Sequence, residues 1–279
     1  MQKLNIAIPQ DAVWILNKLN EGGHEAYIVG GCVRDSILGR IPQDWDITTS
    51  ALPEETKTIF DHTFDTGIKH GTITVVLHHE NYEVTTYRID GEYADCRHPD
   101  EVSFTKKLNE DLLRRDFTMN AIAYHPKEGF RDPFHGQEDI AAGIIRGVGE
   151  PARRFQEDAL RVLRSLRFAS VLSFAIEEET AAAARQEAGG LRQLSAERVF
   201  QELSKLLCGP AVGPVLLAYP DILGQVLPEL RPMVGFDQRS RHHCYDLYTH
   251  TAVAVAHVAP RLPLRLAMLL NKHDTIGID

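Results

Sequence analysis

The sequence changes its periodicity near Gly149, and this change limits the fold more than any other feature. Before Gly149, short β-branched or apolar runs such as YIVGG, GTITVVL and YEVTTYRI alternate with polar and helical segments, which is typical of an α+β domain. After it, apolar residues recur at spacings of three and four, which predicts helices. No internal repeat or low-complexity linker separates the two parts. The sequence therefore predicts an α+β part followed directly by an all-helical part.

Composition excludes several classes of protein. Of the 279 residues, 43% are hydrophobic and 25% are charged, and no apolar run approaches the ~20 residues that a membrane span requires. The N-terminal segment lacks the continuous apolar stretch of a signal peptide, so we expect a cytoplasmic protein without membrane association. The net charge of -9 argues against non-specific coating of nucleic acid, because that binding mode neutralises many phosphates with Lys and Arg.

The cysteines show no metal-binding or disulfide pattern. None of the four belongs to a C-x-x-C pair: Cys32, Cys96, Cys208 and Cys244. This spacing argues against a zinc ribbon or a disulfide framework and favours reduced, structural thiols.

A first candidate site is the segment Tyr27 to Asp35, YIVGGCVRD. It predicts an apolar strand that runs through Gly30 and Gly31 into a helix with Arg34 in its first turn. Glycines allow close backbone approach, a helix N-terminus offers unpaired N–H groups, and arginine adds a fork of donors, so the segment is suited to an anion. It matches neither a Walker A sequence nor G-x-G-x-x-G. The alternative is a purely structural turn.

A second candidate site is Asp44-Trp45-Asp46-Ile47-Thr48-Thr49. Read as a strand, it places Asp44 and Asp46 on one face, about 6.6 Å apart along the chain. Paired carboxylates suit Mg²⁺, which prefers one or two of them together with substrate phosphates. Glu83, in the predicted strand YEVTTYR, supplies a third catalytic carboxylate if the two strands pair. The alternative is a solvated strand edge.

A basic segment lies between residues 150 and 170. Asp158 and Arg161 are three apart on a predicted helix, so a carboxylate acceptor and a guanidinium donor share one face. Cytosine and adenine both offer an amino donor beside a ring-nitrogen acceptor, whereas guanine and uracil reverse the pattern, so one such edge accepts C and A. The alternative is a solvated face of ion pairs, which Arg164 and Arg167 would extend.

These motifs together resemble a known family. The stretch GGCVRDSILGRIPQDWDITTSALPEE resembles the signature of class II tRNA nucleotidyltransferases (CCA-adding enzymes) and the related bacterial poly(A) polymerases, members of the DNA polymerase beta-like superfamily. Further similar blocks follow in order: RIDGEYADCRHPDEVSF, LLRRDFTMNAIAY, RDPFHGQEDI, EPARRFQEDALRVLRSLRFA and SAERVFQELSKLL. The resemblance covers residues 25 to 208.

The resemblance implies an α+β fold class with three parts. Residues 1–128 are expected to form a nucleotidyltransferase head with a small mixed β-sheet, and residues 129–207 an all-helical neck that binds the nucleotide base. Residues 208–279 are expected to form a partial helical body that is truncated at its end. Its beginning is HD-like, which is indicated by the segments HHCYDLYTHTAVAVAHV and RLAMLLNKHDTIGID.

The resemblance also implies roles for single residues. Asp44 and Asp46 match the aspartates that hold the catalytic metals, and Mg²⁺ is the expected cofactor. The residues expected to contact the nucleotide are Gly30, Gly31, Arg34, Arg115, Asp116, Asp158, Arg161, Arg164 and Arg167.

The expected function is template-independent addition or repair of the 3′-terminal CCA of tRNA from CTP and ATP. The RNA 3′-hydroxyl attacks the α-phosphate and pyrophosphate departs. A CC-adding enzyme, an A-adding enzyme and a poly(A) polymerase share these motifs and stay open. Two alternatives come from other classes: an HD-type phosphohydrolase using His250 and His273-Asp274, and a non-enzymatic RNA-binding module. The expected partners are the acceptor end of tRNA, CTP and ATP.

Overall fold

The computed structural model describes residues 6–91, 102–237 and 245–271. The chain divides into two compact units, one of residues 1–142 with 146–150 and the other of residues 143–145 with 151–279. The first unit is α+β and the second is helical, as the sequence predicts.

A seven-stranded mixed sheet is the centre of the first unit. Its strand order is β3-β4-β5-β2-β1-β8-β9. Strands β2 and β5 pair in parallel, and the other neighbours pair antiparallel. Strands β6 and β7 form a separate antiparallel pair. The strands are β1 (Ala26–Val29), β2 (Ile47–Thr49), β3 (Thr63–Gly67), β4 (Thr72–Leu77), β5 (Glu80–Thr86), β6 (Arg88–Asp90), β7 (Val102–Phe104), β8 (Ala123–His125) and β9 (Gly129–Arg131).

Helices cover this sheet through alternating apolar residues. In β4, Ile73 and Val75 are buried in the core, while Thr72 and Thr74 belong to the opposite face, because successive side chains of a strand alternate. Helices α1 and α3 contact the sheet, and α1 buries Ile15 completely. The helices of this unit are α1 (Gln10–Glu21), α2 (Gly31–Ile37), α3 (Pro53–Ile59), α4 (Leu108–Leu113) and α5 (Gly136–Ala142).

The first unit extends beyond the predicted boundary at residue 128. That position lies in the turn between β8 and β9, which pair as a hairpin within the large sheet. A boundary there would separate two hydrogen-bonded strands, so the predicted end of the head at 128 is too early. The division of the rest into a neck (129–207) and a partial body (208–279) stays a prediction.

The second unit is a packed set of helices with one short parallel strand pair, β10 (Ile144–Ile145) and β11 (Ala175–Ile176). Helices α7 and α9 pack together, and the Ser170 hydroxyl donates to the Leu206 carbonyl over 2.6 Å. The helices are α6 (Pro151–Glu157), α7 (Leu160–Leu172), α8 (Glu178–Glu187), α9 (Ala196–Cys208), α10 (Val212–Ala218), α11 (Pro220–Val226), α12 (Leu247–His257) and α13 (Leu262–Leu270). Among the helices within the described ranges, none has the length and apolar character needed to cross a bilayer.

Candidate functional site

The turn between β1 and α2 has the conformation that the sequence predicts. Gly30 ends the strand with φ 83° and Gly31 begins the helix. A side chain at Gly30 would place its Cβ 3.1 Å from Arg115 Nη1 and 3.9 Å from Asp46 Oδ2. The positive φ favours glycine, and a side chain at this position would also crowd the Arg115 guanidinium. The turn brings the backbone, a cation and a carboxylate into one small region.

Arg34 and Asp116, both predicted to contact the nucleotide, are joined by a residue that sequence analysis missed. Arg34 donates to Asn120 Oδ1 over 2.6 Å and to Asp35 over 2.9 Å. The Asn120 amide in turn donates to Asp116 Oδ1 over 2.9 Å. All three of Arg34, Asn120 and Asp116 are buried. Asp116 thus contacts Asn120 and holds it against Arg34. The signal was present in the quoted block LLRRDFTMNAIAY, which contains Asn120.

Asp111 is a second residue that sequence analysis missed. Its side chain is fully buried and accepts from Arg114 over 2.8 Å, from Arg115 over 3.4 Å and from the Thr48 hydroxyl over 3.1 Å. Burial alone would raise the pKa of Asp111, but the guanidinium groups of Arg114 and Arg115 outweigh burial and hold the pKa below its ordinary value. Asp111 therefore anchors Arg115 beside Gly30.

The two aspartates lie just before a strand, not within one. Strand β2 begins at Ile47, so the prediction that Asp44 and Asp46 belong to a strand is wrong. The Asp46 carbonyl accepts from Val29 N over 3.0 Å, which attaches this segment to β1. Glu83 lies on β5, which pairs in parallel with β2. The strand pairing that Glu83 needed is therefore present.

The carboxylates line one cavity of about 500 Å³. Its lining comprises Asp44, Trp45, Asp46, Phe64, Thr66, Thr74, Asn81 and Glu83. None of the three carboxylates has a hydrogen bond or ion pair with any residue in the described part of the chain. Burial raises the pKa of Asp46, and Glu83 and Asp44 raise it further, while Arg115 opposes them. Negative charge at this cavity is thus only partly compensated.

The donor set of this cavity suits a hard divalent cation that also binds a substrate. All three acidic side chains offer carboxylate oxygens, the ligands that Mg²⁺ prefers. Over residues 6–91, 102–237 and 245–271, no group of three or more His, Cys, Asp or Glu side chains is arranged to hold a metal ion. A cation here would need further oxygens from a bound molecule, which fits the preference of Mg²⁺ for one or two carboxylates plus phosphates.

In the second unit, the predicted pair Asp158 and Arg161 does not share one helix. Asp158 lies between α6, which ends at Glu157, and α7, which begins at Leu160. Its carboxylate accepts from Leu160 N over 3.1 Å and from Arg198 over 3.3 Å, while Arg161 donates to Glu157 over 2.9 Å. The prediction of one continuous helix is wrong: Asp158 lies at a break between two helices, where its side chain accepts a hydrogen bond from the backbone N–H of Leu160.

The other two arginines predicted to contact the nucleotide pack on a common aromatic ring. Arg167 lies 3.9 Å and Arg164 5.5 Å from the centre of Phe168, both within the range of a cation–π interaction. Arg167 also forms a 2.8 Å ion pair with Glu202 of α9. Every arginine predicted here therefore has a contact inside its own unit.

The HD-like prediction is only partly covered. His250 lies in α12, whereas His273 and Asp274 lie outside the described residues.

Two of the four cysteines can be described, since Cys96 and Cys244 lie outside the described residues. Cys32 and Cys208 are free thiols. Burial raises the pKa of Cys32 to about 12, which agrees with a structural thiol.

Comparison with known proteins defines the class first. Residues 26–146 match the family described as "Poly A polymerase head domain", and residues 173–233 match the one described as "Probable RNA and SrmB- binding site of polymerase A". The mixed sheet and its acidic cavity lie within the first of these ranges. The first unit is thus a nucleotidyltransferase head domain.

Individual relatives then give the family. The chain is 51% identical over 201 residues to a CCA-adding enzyme of Listeria monocytogenes, covering 72% of this chain and 51% of the relative. It is 53% identical over 195 residues to one of Staphylococcus aureus, covering 70% and 49%. The crystal structure of the Bacillus stearothermophilus CCA-adding enzyme in complex with CTP matches with a TM-score of 0.71 and 39% identity, over 96% of this chain and 68% of that one.

The chain belongs to the family of the CCA-adding enzymes, which are tRNA nucleotidyltransferases. It spans about half the length of the curated relatives that it matches.

Proposed function

We propose that this protein is a metal-dependent, template-independent nucleotidyltransferase that adds or repairs the 3′-terminal CCA of tRNA from CTP and ATP. The observation that carries the proposal is that three carboxylates surround one cavity and find no hydrogen bond or ion pair among the described residues: Asp44, Asp46 and Glu83. Three carboxylates around one cavity repel one another unless a cation joins them, and Asp46 is partly buried as well. The similarity to CCA-adding enzymes supplies the reaction.

The cationic side of the site is assigned to the triphosphate. Gly30 permits close approach of the backbone, and Arg115 lies directly beside it. Arg34 lies in α2, the helix that follows this glycine, and is fixed by Asn120. Guanidinium groups bind phosphate oxygens through paired donors, so these residues orient the phosphates against Asp46. Asp111 contributes by holding Arg115 in place.

The acidic side is assigned to the cation and the reacting oxygens. Asp44 and Asp46 would hold Mg²⁺, with Glu83 as the neighbouring third carboxylate. When bound, the metal lowers the pKa of the attacking hydroxyl and neutralises charge on the phosphates. The reaction joins the RNA 3′-oxygen to the α-phosphorus, breaks the bond to the leaving pyrophosphate and releases the hydroxyl proton to solvent. The residues of this chain contribute positioning and charge rather than a covalent intermediate.

Nucleotide choice is assigned to the second unit. Asp158 and Arg161 are proposed to accept cytosine and adenine, and Arg164 and Arg167 to support the base. Arg198 and Glu157 are the present partners of Asp158 and Arg161. A base edge would exchange these contacts for hydrogen bonds of its own to Asp158 and Arg161.

The test supplies tRNA transcripts that lack one, two or all three terminal nucleotides, with CTP alone, ATP alone or both. Two results together support the proposal: ATP alone completes the transcript that lacks one nucleotide, and the transcripts that lack two or three nucleotides reach complete CCA ends only with both CTP and ATP. Stopping after two cytidines, adding only adenosine, or making long adenosine tails assigns the chain to a CC-adding enzyme, an A-adding enzyme or a poly(A) polymerase. No incorporation by the wild-type chain in Mg²⁺ contradicts the proposal. Asp61→Asn, an exposed acid outside the cavity, is the matched control for Asp46→Asn.

A further inference from the structure

One face of the large sheet carries a row of side chains that leads from the carboxylates to the edge strand. The register places Thr74 opposite both Phe64 and Glu83. Strand β5 pairs in turn with β2, whose first residue follows Asp46. Neighbouring strands lie ~4.8 Å apart, so Phe64 lies about 10 Å from Glu83 across the sheet. This row crosses the cavity from Glu83 at its acidic end to Phe64, which defines its aromatic end.

Phe64 leaves most of its ring to solvent. It is 64% exposed, although it lies on a strand that forms part of the same cavity as the carboxylates. A single exposed apolar side chain is ordinary on a protein surface. Here, however, a second aromatic residue, Trp45, lines the same cavity. Two aromatic rings beside a charged centre are suited to a ligand that is part planar and part ionic.

The remaining side chains of the cavity exclude phosphate as the group bound at the aromatic end. No Lys or Arg is among the lining residues, and three carboxylates would repel an anion. Thr66 and Thr74 share a hydrogen bond of 2.8 Å between their hydroxyls. The Asn81 amide makes no hydrogen bond within the described part of the chain and is exposed. A ring face, hydroxyls and an amide suit an uncharged base and a ribose.

The cation nearest to Asp46 does not line the cavity. A side chain at Gly30 would approach both Arg115 Nη1 and Asp46 Oδ2, so these two groups lie near one glycine, yet neither Gly30 nor Arg115 is among the lining residues. Asp46 therefore has a guanidinium and backbone nearby that do not line the cavity, and aromatic and neutral polar groups that do. A triphosphate fits the first set of groups and a nucleoside fits the second.

We infer that residues Phe64, Thr66, Thr74 and Asn81 form an acceptor face that binds the 3′-terminal nucleoside of the RNA, with its base stacked on Phe64. The inference rests on the proposed function and names the binding site of its second substrate. Stacking on an aromatic ring tolerates any base, because every base has a π-face. This tolerance suits an acceptor end whose terminal base changes after each addition.

A fluorescence experiment tests the stacking without catalysis. The full chain is titrated into an RNA minihelix with 2-aminopurine as its 3′-terminal base, in Mg²⁺ and without nucleotides. We expect wild-type protein and Phe64→Trp to quench the fluorophore, because both stack on the base, and Phe64→Leu to bind with little quenching. Quenching by Phe64→Leu equal to that of wild type would overturn the inference.

Steady-state kinetics provide the second readout. Phe64→Leu is expected to raise the KM for the RNA by roughly tenfold while the KM for CTP stays at the wild-type value, and Phe64→Trp is expected to restore the RNA KM. Trp14→Leu is the matched control, since Trp14 is also a partly exposed aromatic residue of the first unit and does not line the cavity.

The outcomes separate the inference from the proposed function. Wild-type protein that incorporates no nucleotide contradicts the function itself. Wild-type activity combined with an unchanged RNA KM in Phe64→Leu overturns only the acceptor face. A raised CTP KM with an unchanged RNA KM assigns Phe64 to the incoming nucleotide and also overturns it. An equal rise of the RNA KM in Trp14→Leu shows a general effect on the fold and overturns it as well.

Discussion

The acidic cavity of the first unit and the arginine-rich segment of the second unit use their charges in opposite ways. Asp44, Asp46 and Glu83 have no polar partner within the described part of the chain, and repulsion among them contributes to the raised pKa of Asp46. The arginines of the second unit, in contrast, are engaged within it: Arg161 with Glu157 and Arg167 with Glu202.

The difference separates charges that already have partners in their own unit from charges for which the described residues offer no partner. Removing one partner of a buried ion pair leaves the other charge uncompensated, which lowers the stability of the fold. Neutralising a carboxylate whose pKa is raised by its neighbours does not lower the stability of the folded protein. Residues of the first kind should therefore affect stability, and residues of the second kind should affect activity without lowering stability.

The largest expected effect is loss of activity in Asp46→Asn. Asp46 is proposed to bind the metal, and removing such a carboxylate withdraws several kcal/mol of transition-state stabilisation, which corresponds to a decrease in incorporation rate of about a thousandfold. Glu83 and Asp44 repel the charge of Asp46. The thermal midpoint of the Asp46→Asn variant should therefore equal or exceed that of wild type. Rate and midpoint are measured together, with Asp61→Asn as the control. A large drop in midpoint would mean that Asp46 stabilises the fold, which contradicts its assignment to a ligand.

Asp111→Asn should have the opposite signature. It removes the charge that pairs with Arg114 and Arg115 in a fully buried position, and breaking such a pair costs about 3–5 kcal/mol of unfolding free energy. Urea unfolding measures this difference at neutral pH. The KM for CTP should also rise, because Arg115 loses an anchor. A stable variant with wild-type kinetics would contradict the positioning role.

The same variant gives a pH test. The pKa of Asp111 is lower in the folded protein than its ordinary value of 3.8, so the ionised group stabilises the fold above pH 3.8 and this contribution is lost as the pH falls through the folded pKa. The free-energy difference between wild type and Asp111→Asn should be constant near neutral pH and shrink in acid. A free-energy difference that grows in acid would contradict a lowered pKa of Asp111 in the folded protein.

Glu202→Gln should have the smallest effect of the series. Glu202 is buried and forms an ion pair with Arg167 over 2.8 Å, but Glu202 Oε2 makes no hydrogen bond within the described residues. The loss of unfolding free energy should therefore be smaller than in Asp111→Asn, whose carboxylate accepts several hydrogen bonds. The exposed Glu197 lies on the same helix, so Glu197→Gln is the control and should change the unfolding free energy little. Equal effects of the two substitutions would show that the ion pair is not important for stability.

Local features of the site could be predicted from sequence, and non-local ones could not. The turn at Gly30 was predictable because its glycines and the adjacent apolar strand are consecutive in the chain. The break at Asp158 was not, because one partner of its carboxylate, Arg198, lies forty residues further on. Asp111 was missed for a related reason. In the sequence it is an ordinary acidic residue in the first turn of a short helix, and only the structure shows that Arg114 and Arg115 donate to its buried carboxylate.

The strand pairing shows the same limit. Glu83 could be proposed only on condition that its strand met the one after Asp46, and the parallel pairing of β2 and β5 provides that contact. The register that aligns Phe64 with Thr74 and Glu83 depends on three strands at once. The acceptor face therefore had no signature in any single segment.

Binding of Mn²⁺ as a spectroscopic substitute for Mg²⁺ tests the central claim most directly. Electron paramagnetic resonance measures free Mn²⁺ in the presence of CTP, with wild-type protein and with the double variant Asp44→Asn, Asp46→Asn. We predict that wild type binds Mn²⁺ together with CTP beyond what CTP binds alone, and that the double variant, still folded, does not. Equal Mn²⁺ binding by both proteins would contradict the assignment of these carboxylates to a catalytic cation.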